Sequence, residues 1–141
     1  MSGMLQNQVA VVTGAGRGIG AATARLMAEQ GAKVVVSDLD AAPADAVVKE
    51  IAAAGGTAIA VPGDITDLAF PQSLLQKAVD TYGKLTILVN NAGYTWDGVV
   101  QKMTDAQWQA IIDVHLSAPF RMIRAAVPHM REAAKMELGA G

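Results

Sequence analysis

Val9-Ala10-Val11-Val12-Thr13-Gly14-Ala15-Gly16-Arg17-Gly18-Ile19-Gly20 is the stretch that decides the fold. Val9 to Val12 has the apolar, β-branched character of a strand buried on both faces. The glycines that follow permit a tight turn, and Ile19 opens a segment of helical periodicity. Strand, glycine turn and helix in that order bring the amides of a helix N-terminus to bear on a bound anion, above all a dinucleotide pyrophosphate. The candidate contacts are Gly14, Gly16, Arg17, Gly18, Ile19 and Gly20. A glycine-rich turn without a ligand is the plain alternative, but the place between a buried strand and a helix is the context the binding motif requires. The spacing Gly14-x-x-x-Gly18-x-Gly20, with Gly16 as an extra glycine, differs from Gly-x-Gly-x-x-Gly. No Lys-Ser or Lys-Thr pair follows, which disfavours a phosphate loop of the ATP-binding kind.

Outward from this stretch the same alternation repeats. Apolar runs recur at Lys33 to Ser37, Thr57 to Val61 and Leu85 to Val89. Between them, Ile19, Ala22, Leu26 and Met27 share one helical face, as do Ala44, Val47, Val48 and Ile51, and then Leu74, Leu75, Ala78, Val79 and Tyr82. Gly31, Gly55-Gly56 and Gly83 supply C-terminal stops. Right-handed crossovers turn this β-α-β-α-β-α-β order into a doubly wound parallel sheet with helices on both faces. From Thr104 onward the chain reads as a long helix. Thr104-x-x-Gln107 is a candidate capping box, and Trp108, Ile111, Ile112, His115, Pro119, Met122, Ile123, Ala126 and Met130 fall near one stripe. Pro119 and Pro128 each predict a kink or break. No linker or repeat divides residues 1–141, so a single α/β domain is expected. The four-stranded sheet is incomplete, and its apolar Leu85 to Val89 edge is expected to stay partly uncovered.

Composition excludes several function classes. With 52% hydrophobic and 17% charged residues the chain has the makeup of a folded domain and not of a disordered one. A net charge of -2 without a basic stripe disfavours nucleic-acid binding. The absence of cysteine removes disulfides, thiolate metal sites and thiol catalysis, and the two histidines form no metal-ligand pattern. Met1 to Asn7 carries no Lys or Arg, and no apolar run is long enough to span a bilayer. No leader, no membrane span and a cytoplasmic location are therefore expected.

The strand ends carry the remaining candidates. Asp38 lies about twenty positions past the glycine turn, where a carboxylate accepts hydrogen bonds from an adenosine ribose, with Leu39 beside it. A carboxylate there repels a 2′-phosphate, so NAD is favoured over NADP. Arg17 argues the other way, and Asp38 and Asp40 also suit a strand end and a helix cap. Asp64, after the third strand, can meet the adenine amine next to the Ile65 backbone, while Asp67 suits a helix cap. Asn90, Asn91, Ala92 and Gly93 end the fourth strand. Their small residues let a cofactor ribose lie on the backbone, and the asparagine amides can tie loops to strand ends, although such a run also makes an ordinary turn.

Thr13-Gly14-x-x-x-Gly18-x-Gly20, Asp64 and Asn90-Asn91-Ala92-Gly93 together resemble the short-chain dehydrogenase/reductase family over nearly the whole chain. Trp108 and the run Asp113-Val114-His115-Leu116 are similar to its 3-oxoacyl-[acyl-carrier-protein] reductase-like branch. The resemblance implies a Rossmann-type NAD(P)-binding fold with strand order 3-2-1-4, assembly into dimers or tetramers, and hydride transfer between a nicotinamide and a ketone or alcohol. It also implies a serine, and a tyrosine four residues before a lysine. Neither Tyr82, followed by Thr86, nor Tyr94, followed by Gly98, fits that pair, and the serine strand is missing. His115 stands at the family's catalytic asparagine and is the one candidate for a proton relay; a histidine packed on an apolar helix face is the competing reading. The chain is thus expected to be the cofactor-binding half of an oxidoreductase and inactive alone, with a dinucleotide-binding or oligomerisation piece as the alternative. Self-association is expected through the 104–136 helix.

Overall fold

The computed structural model describes residues 3–139; the first two residues of the Met1 to Asn7 segment lie outside them. Strands β1 (Val9–Val12), β2 (Lys33–Val36), β3 (Thr57–Ala60) and β4 (Ile87–Val89) form one parallel sheet in the order β3-β2-β1-β4, as the resemblance implies. The register sets Val9 opposite Lys33, Lys33 opposite Thr57 and Ala10 opposite Ile87. Helices α1 (Gly18–Glu29), α2 (Ala41–Ala53) and α3 (Phe70–Tyr82) supply the crossovers. A 3₁₀ turn at Val100–Lys102 leads to α4 (Asp105–Ile112), a π turn at Asp113–Ser117 and α5 (Ala118–Gly139).

Alternate strand residues serve opposite faces, as a two-residue period requires. Val12, Val34 and Val36 pack under α1 and α2 with Val47 and Ile51, whereas Val11 and Val35 pack against Leu74, Leu75, Leu85 and Met122 from the α3 and α5 side. β4 is an edge strand and only half-buried, in keeping with its expected uncovered side. The Thr104–Gln107 capping box forms in both directions, and Gly83 closes α3 in the left-handed conformation at φ 85°.

Three expectations are corrected. The packing face of α1 is Gly20, Ala21, Ala24 and Ala28, while Ile19 and Leu26 are 80% and 57% exposed. The glycine turn brings this helix so near the sheet that small residues lie beneath it, with Met27 packed at the edge of the core and Ile19 and Leu26 turned outward. Asp67 does not cap α3: its Oδ1 accepts from the Ala69 amide at 3.0 Å, one turn ahead of the helix. The break expected near Pro119 is found as the π turn just ahead of it, whereas the one expected near Pro128 is not, because α5 runs through that residue. In a regular α-helix Pro119 would press on the carbonyl of His115, four residues earlier, and the π turn at Asp113–Ser117 ends just ahead of it. The interruption also splits the expected stripe, because Met122 and Ala126 are buried while Trp108 is 60% exposed.

Overpacking separates the observed α1 face from the expected one. Ala24→Leu should destabilise the chain by about 1–3 kcal/mol, whereas Leu26→Ala should change stability by less than about 0.5 kcal/mol. Urea unfolding of the two variants checks the difference.

Candidate functional site

The carboxyl ends of the four strands meet at a cleft of about 860 Å³. β1 has β2 on one side and β4 on the other, and the helices attached to these neighbours lie on opposite faces of the sheet. Loops therefore diverge at this point and leave a crevice. Of the residues expected from the sequence, Gly14, Arg17, Gly18, Ile19, Asp38, Leu39, Asp64, Ile65, Asn91, Ala92 and Gly93 line it.

The glycine turn shapes one wall. Gly14 and Gly18 adopt φ 60° and 59°, a left-handed conformation that favours glycine. A Cβ on Gly14 would come within 2.8 Å of the Ala92 Cα, so a larger residue would push β1 and β4 apart. Gly20 lies behind the wall, where a Cβ would meet the Gly14 carbonyl oxygen and the Asn91 Nδ2 at 2.5 Å or less. Arg17 stands at the N-cap of α1 and gives the first turn no side-chain hydrogen bond, which leaves those amides to an external acceptor.

The carboxylates are held by local backbone. Asp38 Oδ2 accepts from the Gly16 amide at 2.9 Å and Oδ1 from the Asp40 amide at 3.0 Å. Gly16 thus braces the loop instead of facing the cleft. Asp40 stands at the N-cap of α2 without capping it, and pairs at the surface with Arg17 at 2.9 Å. Asp64 Oδ1 accepts from both the amide and hydroxyl of Thr66, at 2.9 and 2.7 Å. Each carboxylate keeps lone pairs for a further donor.

Thr13 is the residue whose role the sequence reading passes over. Its buried hydroxyl accepts from the Asn91 amide at 3.1 Å and the Ala92 amide at 3.0 Å, and donates to the Val89 carbonyl at 3.4 Å. Asn91 Nδ2 adds bonds to the carbonyls of Thr13 and Gly14, both at 3.2 Å. Asn91 therefore ties loop to strand end as expected, whereas Asn90 is exposed and does not line the cleft. The available signal was a polar Thr13 following directly on a strand buried on both faces.

His115 lies outside the cleft. It is exposed, with Nε2 2.8 Å from the Tyr94 carbonyl oxygen, and it lines a neighbouring cavity of about 260 Å³ with Tyr94, Trp96 and Trp108. It is thus not a core histidine. Tyr82 is half-buried beneath Lys33, and burial pushes its phenol up, the reverse of what a proton-donating tyrosine needs. No group of three or more His, Asp or Glu side chains converges among the described residues, and none of their helices is long and apolar enough to cross a membrane.

Residues 8–137 match the family model described as short chain dehydrogenase. The chain is 44% identical over 122 residues to a 3-oxoacyl-[acyl-carrier-protein] reductase of Synechocystis, covering 86% of this chain and 49% of that protein. A short chain dehydrogenase from Mycobacterium avium superposes with a TM-score of 0.89 at 39% identity, over 95% of this chain and 49% of the other. A metagenomic short-chain oxidoreductase in complex with NADP superposes at 0.87 with 42% identity, over 92% and 59%. The chain spans about half the length, or less, of the curated relatives it matches.

Thr13→Val keeps the shape of the side chain and removes the hydroxyl that serves Asn91 and Ala92. It should cost about 1–3 kcal/mol in urea unfolding, because the half-buried Ala92 amide loses its acceptor and the Asn91 amide keeps only the Val89 carbonyl.

Proposed function

Because the chain belongs to the short-chain dehydrogenase family, we propose that residues 1–141 form a single domain lodging a nicotinamide dinucleotide for ketone–alcohol oxidoreduction. The observation that carries this reading is the uncapped first turn of α1 opening onto the 860 Å³ cleft, with the Asp38 and Asp64 carboxylates on its flank. Gly18 fits such a group, since a Cβ there would stand in open space at the cleft, and without it the Gly18 and Ile19 amides would meet a pyrophosphate. Asp38 would accept from the adenosine ribose hydroxyls, Asp64 from the adenine amine, and Ala92 and Gly93 would admit the second ribose. A nicotinamide so held supplies or accepts hydride.

NAD is the proposed cofactor. An Asp38 carboxylate beside the adenosine ribose would repel a 2′-phosphate, and Arg17, the candidate partner for that phosphate, is paired with Asp40. The substrate class is a ketone or alcohol, with an acyl thioester as the first to try, given the 3-oxoacyl reductase relative. Assembly through the 104–136 helix is supported by the exposed Leu116, Phe120, Ile123 and Val127, which recur along one face. A cytoplasmic location fits the lack of disulfide chemistry. These 141 residues contain no tyrosine four positions before a lysine, which favours a second reading for the isolated polypeptide: it binds the dinucleotide without turning it over.

Fluorescence titration should show saturable NADH binding by the purified chain, and the same preparation should not oxidise NADH with a β-ketoacyl thioester. Asp38→Ala should raise NADP affinity relative to NAD by about tenfold, the size of one relieved like-charge contact near the surface. An unchanged ratio would refute the ribose assignment.

A further inference from the structure

His115 touches the wall of the dinucleotide cleft from behind. Its Nε2 is 2.8 Å from the Tyr94 carbonyl oxygen. Its ring also packs on Gly93 so closely that a Cβ there would sit 2.4 Å from Cε1. Gly93 and Tyr94 line the cleft, and Tyr94 and His115 line the neighbouring cavity, so these residues form the partition between the two. The π turn at Asp113–Ser117 carries His115 and sets where its ring meets that partition. A carbonyl oxygen only accepts, so the hydrogen of this contact belongs to Nε2.

We infer that His115 is a positioning residue: held as the Nε2–H tautomer, it clamps the Gly93–Tyr94 segment that partitions the cleft from the aromatic cavity. The clamp replaces the proton-relay role expected of this position. Its Nε2 proton is committed to Tyr94, and passing it on would release the segment. Glycine at position 93 is required by the same contact, because any side chain there would drive the ring off the Tyr94 oxygen. The effect on dinucleotide affinity rests on the function proposed above, whereas the clamp itself does not.

Nitrogen-15 NMR of the ligand-free chain reads the tautomer directly. The Nε2–H form is expected, and an Nδ1–H form would overturn the assignment without reference to any cofactor. A double-mutant cycle reads the contact. Gly93→Ala should lower the unfolding midpoint in the parent chain and lower it less in a His115→Ala background; equal losses would mean that ring and glycine do not interact. For the positioning role, His115→Ala should weaken NADH binding about fivefold, the worth of one hydrogen bond. His115→Gln, whose amide also donates, should recover most of that loss. Unchanged affinity in His115→Ala would overturn positioning, as would equal losses in the two variants. If the parent chain fails to bind NADH, the proposed function falls, and the tautomer and the cycle still decide the clamp.

Discussion

The Thr13 hydroxyl lies where β1 and β4 part, and the shape of the whole cleft depends on how it is used. At this point in a doubly wound sheet the connections leave in opposite directions, and backbone amides at the strand ends lose their ladder partners. Thr13 takes up two of those amides, from Asn91 and Ala92, and Asn91 returns its side-chain amide to the carbonyls of Thr13 and Gly14. The result is a rigid seam made entirely from polar groups that burial would otherwise penalise. It fixes the glycine turn against the β4 loop.

Close approach is the second constraint. Gly14 stands against the Ala92 backbone, Gly20 against the Gly14 carbonyl, and Ala21, Ala24 and Ala28 against the sheet. Each contact needs a residue with little or no side chain, and together they draw the N-terminus of α1 toward the strand ends. The larger side chains of the same helix, Ile19 and Leu26, are displaced outward, and Ile19 ends on the rim of the cleft. An apolar residue that a helical wheel assigns to the core is thereby placed beside the proposed ligand.

On the opposite face, α3 and α5 pack on Val11 and Val35 through larger aliphatics. α5 reaches this position after the π turn, whose extra width per turn also carries His115 behind the β4 loop. A local irregularity ahead of Pro119 thus connects the packing of the last helix to the wall of the cleft. The exposed Leu116, Phe120, Ile123 and Val127 stand away from that packing and form the surface through which association is proposed.

Alternation of β-branched runs with helical periods was enough to read the parallel sheet and its crossovers from the chain, because both follow from local pattern and handedness, whereas the strand order came with the family resemblance. The same holds for the glycine turn, the left-handed stop at Gly83 and the Thr104–Gln107 box, where one residue type satisfies one backbone requirement. Asp38, Asp64 and Asn91 were legible as strand-end residues, since topology alone brings strand ends together. Tertiary structure decided what depends on distances between segments far apart in sequence. How near α1 sits to the sheet excluded Ile19 and Leu26 from the core. Gly16 became a brace and Asn90 an exposed residue only once loops and strand ends were in place. Thr13 became the seam of the site because Asn91 arrives beside it from 78 residues away. His115 took its position from the π turn, whose widened backbone no periodicity in the side chains announces.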